Sequence, residues 1–282
     1  MPRHALAPGG LADLHETAWL RPIHVPEKSP PPLPDSEDAP GWALFLDVDG
    51  TLLQIAETPG AVEVSARLRD LLERLEPALG GALALISGRS IANLDRLFGS
   101  LGLAVAGQHG MERRDAAGGM HHAEDDGVLE SLRGPLEAFA EVHPGVVLED
   151  KGRSMGLHYR QAPEAENAAR AFIRQFAEKR DDVNILDGRM IFDIKPAHVD
   201  KGTAIATFML APPFAGCRPV FIGDDATDEQ GFPVVNEMDG ISVRVGDGAE
   251  TAATYRLMGV DAVLDWLTGV ADALDAAGEG AA

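Results

Sequence analysis

From Gly41 onward, short unbroken apolar runs alternate with longer stretches whose apolar residues return every three or four positions. "WALFLD" is an apolar run closed by a turn, the pattern of a parallel strand buried on both faces. "SARLRDLLERLEPAL" places Leu68, Leu71, Leu72, Leu75 and Leu79 at helical spacing. "ALALIS" predicts a second strand, "IANLDRLFGSL" a second helix and "LAVAGQHG" a third strand. This order implies a parallel sheet with helices on both faces. Between Glu112 and Ile194 the rhythm changes. "VLESLRGPLEAFAEV" and "EAENAARAFIRQFAEKR" predict helices, and "GVVLEDKGRSMGLHYR" predicts two strands. "VNILDGRMIFDIKP" predicts a hairpin turning at Asp187-Gly188. The expectation is a small antiparallel α+β module inserted into the α/β body. After Pro196 the first rhythm returns: helix "KGTAIATFML", strand "RPVFIGDD", helix "EQGFPVVNEM", strand "GISVRVG" and closing helix "VDAVLDWLTGVADAL".

Residues 1–40 follow neither pattern. They hold nine of the 19 prolines. Proline fixes φ and removes a donor, so this segment is expected to be a loosely ordered, extended leader, with Trp19, Leu20 and Ile23 available to tack it to the body. At 282 residues with 45% hydrophobic content, the remainder suffices for a large buried core. The formal charge of −21 disfavours nucleic acid and anionic membranes as partners. No apolar stretch reaches the ~20 residues that cross a bilayer, and the start lacks the order of a secretory signal. Cys217 is the only cysteine, which fits a reducing cytosol. A cytoplasmic location is expected.

Chemistry collects at the predicted strand ends, where ligands bind in parallel α/β sheets. They carry Asp47-Val48-Asp49-Gly50-Thr51, Ser87-Gly88-Arg89, Gln108-His109-Gly110 and Gly223-Asp224-Asp225-Ala226-Thr227-Asp228-Glu229, and Lys201 opens a helix. Asp47 and Asp49 lie two apart and so point to one side of a strand end. Two carboxylates so close need a cation, a ligand or a shared proton. The candidate donors are all oxygens, which favours Mg²⁺. Gly50 falls too early for a calcium-binding EF-hand loop, and neither a P-loop nor a dinucleotide fingerprint occurs. One carboxylate of such a pair can attack phosphorus while its neighbour moves a proton. A metal cancels the repulsion between the anions, and a lysine neutralises the transferring oxygens.

"DVDGTL", "ISGR", Lys201 and "GDDATDE" resemble the four ordered motifs of haloacid-dehalogenase-like phosphohydrolases. "GQHGMER", "EDKGRSMGLHYR", "FDIKPAHVDKG" and "GDDATDEQGF" are similar to the trehalose-6-phosphate phosphatase family. The resemblance runs from about Trp42 to Leu267. It implies a Rossmann-like core at 41–112 and 195–282, with an α+β cap at 113–194. It implies Asp47 as the nucleophile that becomes phosphorylated, and Asp49 as acid and then base, with its backbone carbonyl on Mg²⁺. Asp224 is implied as a further metal ligand, with Asp225 and Asp228 assisting. Ser87 and Lys201 are implied phosphate holders. Glu149, Lys151 and Asp193 are implied to grip the sugar, with Arg89, His109, Gly110, His158 and Arg160 as secondary contacts. The family often has Glu-Ile-Arg-Pro where this chain has Asp193-Ile194-Lys195-Pro196, a carboxylate shorter by one methylene. The implied partners are a small sugar phosphate and the synthase that makes it. A monomer is expected.

Plainer alternatives stand beside these roles. Glu149 and Lys151 also suit a cross-strand surface pair, His158 and Tyr159 suit packing, and His121-His122 suit an exposed glycine-bearing loop. Rival activities are hydrolysis of sucrose 6-phosphate or a glycosylglycerate phosphate, phosphoryl transfer to a second sugar hydroxyl, and a catalytically silent regulator. Retention of Asp47, Asp49, Lys201 and Asp224 argues against the last.

Overall fold

A computed structural model describes residues 30–35, 41–55, 63–99, 101–123, 127–188, 190–247 and 250–280. The elements of the first half are β1 (Trp42–Leu46), α1 (Ala66–Ala78), β2 (Leu83–Ile86), α2 (Ile91–Phe98), β3 (Ala104–Gly107), β4 (Glu112–Arg114), β5 (Met120–His122) and α3 (Val128–Val142). Then follow β6 (Val147–Asp150), β7 (Met155–His158), α4 (Glu166–Ala177), β8 (Val183–Gly188) and β9 (Ile191–Pro196). The chain closes with α5 (Lys201–Phe208), β10 (Arg218–Gly223), α6 (Gly231–Glu237), β11 (Ile241–Val245), β12 (Tyr255–Leu257) and α7 (Val260–Gly280).

The larger sheet runs β12-β11-β10-β1-β2-β3-β4-β5. It is parallel from β12 to β3, and β4 and β5 continue it antiparallel. Alternation in β1 divides the core. Trp42, Leu44 and Leu46 pack with the leucines of α1 and the apolar face of α7, while Ala43 and Phe45 pack with Phe208 and Phe214 on the other side. Helix α1 starts where the Ser65 hydroxyl accepts from the Leu68 amide, and buries Leu68, Leu71, Leu72 and Leu75. Each leucine so buried contributes roughly 1.5–3 kcal/mol.

The smaller sheet, β6-β7-β9-β8, is antiparallel throughout. Met155, Leu157, Phe192 and Ile194 bury one face against Leu132, Leu136 and Phe139 of α3 and Ala169 and Ile173 of α4. Its other face carries the polar row in which Glu149 is opposite Gly156, and Gly156 opposite Asp193.

Three local readings change. His121 and His122 lie on β5, and β4 and β12 are also strands not read from the pattern. Each is three residues long, too short for alternation to register; pairing with a neighbouring strand forms them. The β8–β9 hairpin is paired through Gly188↔Ile191, so its turn lies beyond Asp187-Gly188. Asp187 stays in the strand, where its carboxylate pairs with Arg170 of α4. In the leader, Pro31 and Pro34 are buried, and the Pro31 carbonyl accepts from Trp266 Nε1 at 3.0 Å. Residues 1–29 and 36–40, including Trp19, Leu20 and Ile23, lie outside the described residues.

Candidate active site

Strands β1 and β10 are parallel neighbours in the middle of the sheet, so the residues that follow them meet. The Asp47 amide donates to Ile222 O at 3.0 Å, which continues the ladder one step past β1. Asp47 is 4% exposed and Asp228 is fully buried. Between them lies Lys201, whose Nζ donates to Asp47 Oδ1 and to Asp228 Oδ1, both at 2.7 Å. Lys201 is placed by the start of α5, where Asp200 caps the helix by accepting from the Thr203 amide.

The turn after β1 is shaped around Asp224. Gly50 has φ +88°, and a Cβ there would lie 2.0 Å from Asp224 Oδ2. Thr51 Oγ1 donates to Asp224 Oδ1 at 3.3 Å. Carboxylate oxygens of Asp47, Asp224 and Asp228 all lie within 4.8 Å of one another. Asp225 is turned aside: its Oδ1 accepts from Thr227 N at 2.8 Å and Thr227 Oγ1 at 2.6 Å, and lies 3.9 Å from Lys201 Nζ.

Crowding shows in the electrostatics. Burial pushes the Asp47 carboxyl up to about 7, with Lys201 pulling the other way. Burial, then Asp228 and Asp225, push Asp224 up to about 6. Burial and Asp47 hold Asp228 well above the carboxylate range. Burial disfavours the Lys201 ammonium, but Asp47 and Asp228 outweigh it and hold its pKa above the usual value. Burial likewise opposes the Asp225 charge, yet Lys201 and the Thr227 hydrogen bonds bring it down to about 2. One lysine therefore does not balance Asp47, Asp224 and Asp228. An all-oxygen cluster with excess negative charge fits a hard divalent cation such as Mg²⁺.

Around this centre opens a cleft of about 490 Å³ lined by Asp47, Asp49, Ser87, Arg89, His109 and Lys201 among others. Asp49 faces it in a two-pronged pair with Arg89, whose Nε and Nη2 each donate at 2.6 Å. Arg89 Nη1 also donates to Asn93 Oδ1 at 3.0 Å, a support that α2 supplies and that no sequence motif marked. Ser87 is buried, and its Oγ accepts from the Arg89 amide at 3.1 Å. His109 is held at φ +56°. Burial, followed by Lys201 and Lys195, brings its pKa down to about 3, so the ring is neutral.

The trehalose-phosphatase family model matches residues 45–261. A probable trehalose-phosphate phosphatase of Sinorhizobium fredii is 44% identical over 212 residues, covering 75% of this chain and 80% of that protein. The trehalose-6-phosphate phosphatase of Escherichia coli is 42% identical over 234 residues, covering 83% and 88%. The chain belongs to the trehalose-phosphatase family. Its fold is similar to the C-terminal domain of C. albicans trehalose-6-phosphate phosphatase, with TM-score 0.69 at 24% identity over 84% of this chain and 94% of that one. The haloacid-dehalogenase-like architecture expected from the motifs is the architecture present.

In this trehalose-phosphatase family member, the helix-free face of the small sheet meets the core. Lys151, Ser154, Asp193 and Lys195 line a slot opposite Gly88, Gln108 and His109. Lys151 Nζ donates to Asp193 Oδ1. Gly156 permits this reach, since a Cβ there would lie 3.3 Å from the Lys151 Cε. Glu149 does not line the slot; it pairs with His158 Nε2 at 2.7 Å. Gly110 lies behind the turn, away from the cleft, and lines a separate cavity. Lys195 was not singled out by sequence, since a lysine in a polar strand row reads as exposed. It is 2% exposed, and its Nζ donates to Val199 O at 2.6 Å. Burial brings its pKa down to about 8.

Proposed function

We propose that the protein hydrolyses trehalose 6-phosphate to trehalose and phosphate through a phosphorylated Asp47. The reading is carried by the buried Asp47, fixed by Lys201 beside the Asp224–Asp228 carboxylates and opening onto a cleft with Asp49. The names of the relatives supply the substrate.

Asp47 attacks phosphorus, and the bond from phosphorus to the sugar oxygen breaks. Asp49, when protonated, gives its proton to that leaving oxygen. It then takes a proton from water, which attacks phosphorus, releases phosphate and restores the Asp47 carboxylate. Arg89 keeps the Asp49 carboxylate at the cleft wall. Lys201 and Ser87 hold phosphoryl oxygens. Mg²⁺ held by Asp47, Asp224 and Asp228, with the Asp49 carbonyl, would supply charge neutralisation on the phosphoryl group. The slot of Lys151, Asp193 and Lys195 receives sugar hydroxyls and excludes water during the first step. We also propose that it acts as a cytoplasmic monomer, the expectation from its sequence.

Phosphate release from a panel of sugar phosphates, with and without Mg²⁺, tests it on wild type and Asp47→Asn. Turnover of trehalose 6-phosphate that needs both is expected. Turnover of a different sugar phosphate overturns the substrate, and metal-independent turnover overturns the mechanism.

A further inference from the structure

Two charged residues beside the acidic loop have no task in the chemistry so far. Glu229 closes the "GDDATDE" stretch, and Arg244 lies on β11. Strand β11 runs parallel to β10, and Arg244 is paired in register with Gly223, the last residue of β10 before Asp224. A Cβ on Gly223 would lie 2.1 Å from Asp228 Cγ. The loop therefore folds back over the strand end, and Asp228 takes the space a side chain would fill.

A loop that turns back so sharply has to be held near its middle, and Asp225 is held at three points. Its amide donates to Asp228 Oδ2 at 3.0 Å. Its Oδ1 accepts from the Thr227 amide and hydroxyl. Its carbonyl accepts from Arg244 Nη1 at 2.6 Å. Peptide units are planar, so the first contact fixes the unit that joins Asp224 to Asp225, and the last fixes the unit after it. Of the three, the Arg244 contact alone comes from outside the loop.

Arg244 is itself braced. The same Nη1 donates to Glu229 Oε1 at 3.1 Å, and Glu229 Oε2 accepts from the Ala252 amide at 2.8 Å. The Ala252 carbonyl accepts from Asn236 Nδ2 of α6 at 2.8 Å, and the Thr254 amide donates to Ser242 Oγ of β11 at 2.9 Å. The brace thus stands on β11, α6 and the segment entering β12. Glu229 matches the Arg244 charge, so the pair adds no net charge to the site. What it adds is position, since neither residue lines the catalytic cleft.

We propose that Arg244 and Glu229 are positioning residues for metal binding. By fixing the Asp225 carbonyl they hold the Asp224 carboxylate near Asp47 and Asp228, and so set the affinity for a divalent cation without touching it. This role rests on the Mg²⁺-dependent function proposed above. Mg²⁺ demands near-ideal geometry, so a carboxylate cluster binds it well only when its oxygens are already in place. Groups that orient metal ligands commonly contribute roughly 10–100-fold to affinity. A tie that served folding alone would change stability and leave that affinity as it is.

The test is calorimetric titration of Mg²⁺ into the full chain, beside phosphate release from trehalose 6-phosphate over a range of Mg²⁺ concentrations. Arg244→Gln is expected to bind Mg²⁺ at least about tenfold more weakly. Its half-maximal Mg²⁺ for turnover should rise by the same factor, with the rate recovering at saturating Mg²⁺. Glu229→Gln is expected to lose less, because its remaining carbonyl oxygen serves Ala252 or Arg244 but not both. Arg244→Lys still offers a donor to the Asp225 carbonyl and is expected to fall between wild type and Arg244→Gln. If Arg244→Gln does not fold, these two variants carry the test, each with its smaller loss. The control is Arg114→Gln. Arg114 joins a carboxylate, Asp95, and a carbonyl, Leu103 O, in the same way at the β4 side of the sheet, and its loss should leave Mg²⁺ affinity unchanged. Wild-type Mg²⁺ binding with the same affinity in the Arg244 and Glu229 variants overturns this inference and leaves the metal-dependent function standing. An equal loss in Arg114→Gln overturns it as well. Absence of Mg²⁺ binding by wild type overturns the metal-dependent function, and this inference with it.

Discussion

Gly50→Ala separates backbone strain from displacement of a single carboxylate. Gly50 has φ +88°, and the added methyl would lie 2.0 Å from Asp224 Oδ2. Ordinary contact begins near 3.4 Å, so the carboxylate has to retreat by about 1.4 Å. Metal sites tolerate shifts of only about 0.2 Å, and a misplacement of about 1 Å at a reacting centre costs on the order of 10²-fold in rate. The left-handed backbone adds about 1–2 kcal/mol of strain, or a Tm lower by roughly 3–6 °C. Gly80→Ala is the control. Gly80 has φ +60° with nothing within 4 Å, so it incurs the strain without the collision. Both variants are expected to melt lower by similar amounts. Only Gly50→Ala is expected to lose Mg²⁺-dependent phosphate release, by about 10²-fold, and to need more Mg²⁺. Equal activity in the two variants would refute the claim that this turn exists to admit Asp224.

Other expectations follow from the same cluster. Lys201→Met strands Asp47 and Asp228, and about 3 kcal/mol of stability should be lost in a denaturant melt; Asp228→Asn in the same chain should recover part of it, and a single variant as stable as wild type would sink this account. The Asp47 carboxyl is raised by burial from 3.8 to about 7, so its contribution is present at low pH and is lost as pH rises through about 7. His109, lowered to about 3, has the opposite sign and loses its contribution as pH falls below its ordinary 6.5. Comparing wild type with Asp47→Asn in chelator cancels His109. The variant's advantage should grow between pH 5 and pH 8 by up to about 3 kcal/mol, and an advantage that stays constant over that interval would contradict it. Trp266→Phe removes the hydrogen bond to the Pro31 carbonyl, worth about 1 kcal/mol, on top of the lost indole packing against Trp42; deleting residues 1–35 should shrink the cost of that substitution in a thermal melt by about that amount.

The strands that carry the site were legible because each is buried on both sides and ends abruptly in polar residues. β1, β2 and β10 are nearly unbroken apolar runs, and polar residues follow each of them at once. β4, β5 and β12 were not legible, since a run of three residues becomes a strand only when a neighbour offers its edge. The charge relations were also hidden. Nothing in the order of residues says that Arg89 grips Asp49, or that Asp225 turns to Thr227 while Asp228, three further on, joins Lys201. Such choices depend on which side of a turn each carboxylate leaves, and the 3-10 turn at Asp228–Gln230 sets that. Lys195 carries no mark of burial in the sequence, yet it is buried and its ammonium finds the Val199 carbonyl.

The arrangement also explains how a chain of net charge −21 can attack a phosphate ester. Fully ionised, Asp47, Asp224 and Asp228 would outnumber Lys201 in a space where opposing charges are weakly screened. The raised pKa values of Asp47 and Asp224 mean that, without a further cation, protons make up the difference. A protonated Asp47 is a poor nucleophile. A divalent cation held by these carboxylates would displace those protons, restore the carboxylate and reduce the repulsion of the incoming phosphate together. Lys201 alone cannot do both, because its ammonium is already divided between Asp47 and Asp228. Under the proposed function, nucleophile activation would be coupled to metal occupancy. Proton release on Mg²⁺ addition, read calorimetrically in two buffers of different ionisation enthalpy, should accompany binding near pH 6 in wild type and shrink in Asp47→Asn. Binding without proton release would break that coupling.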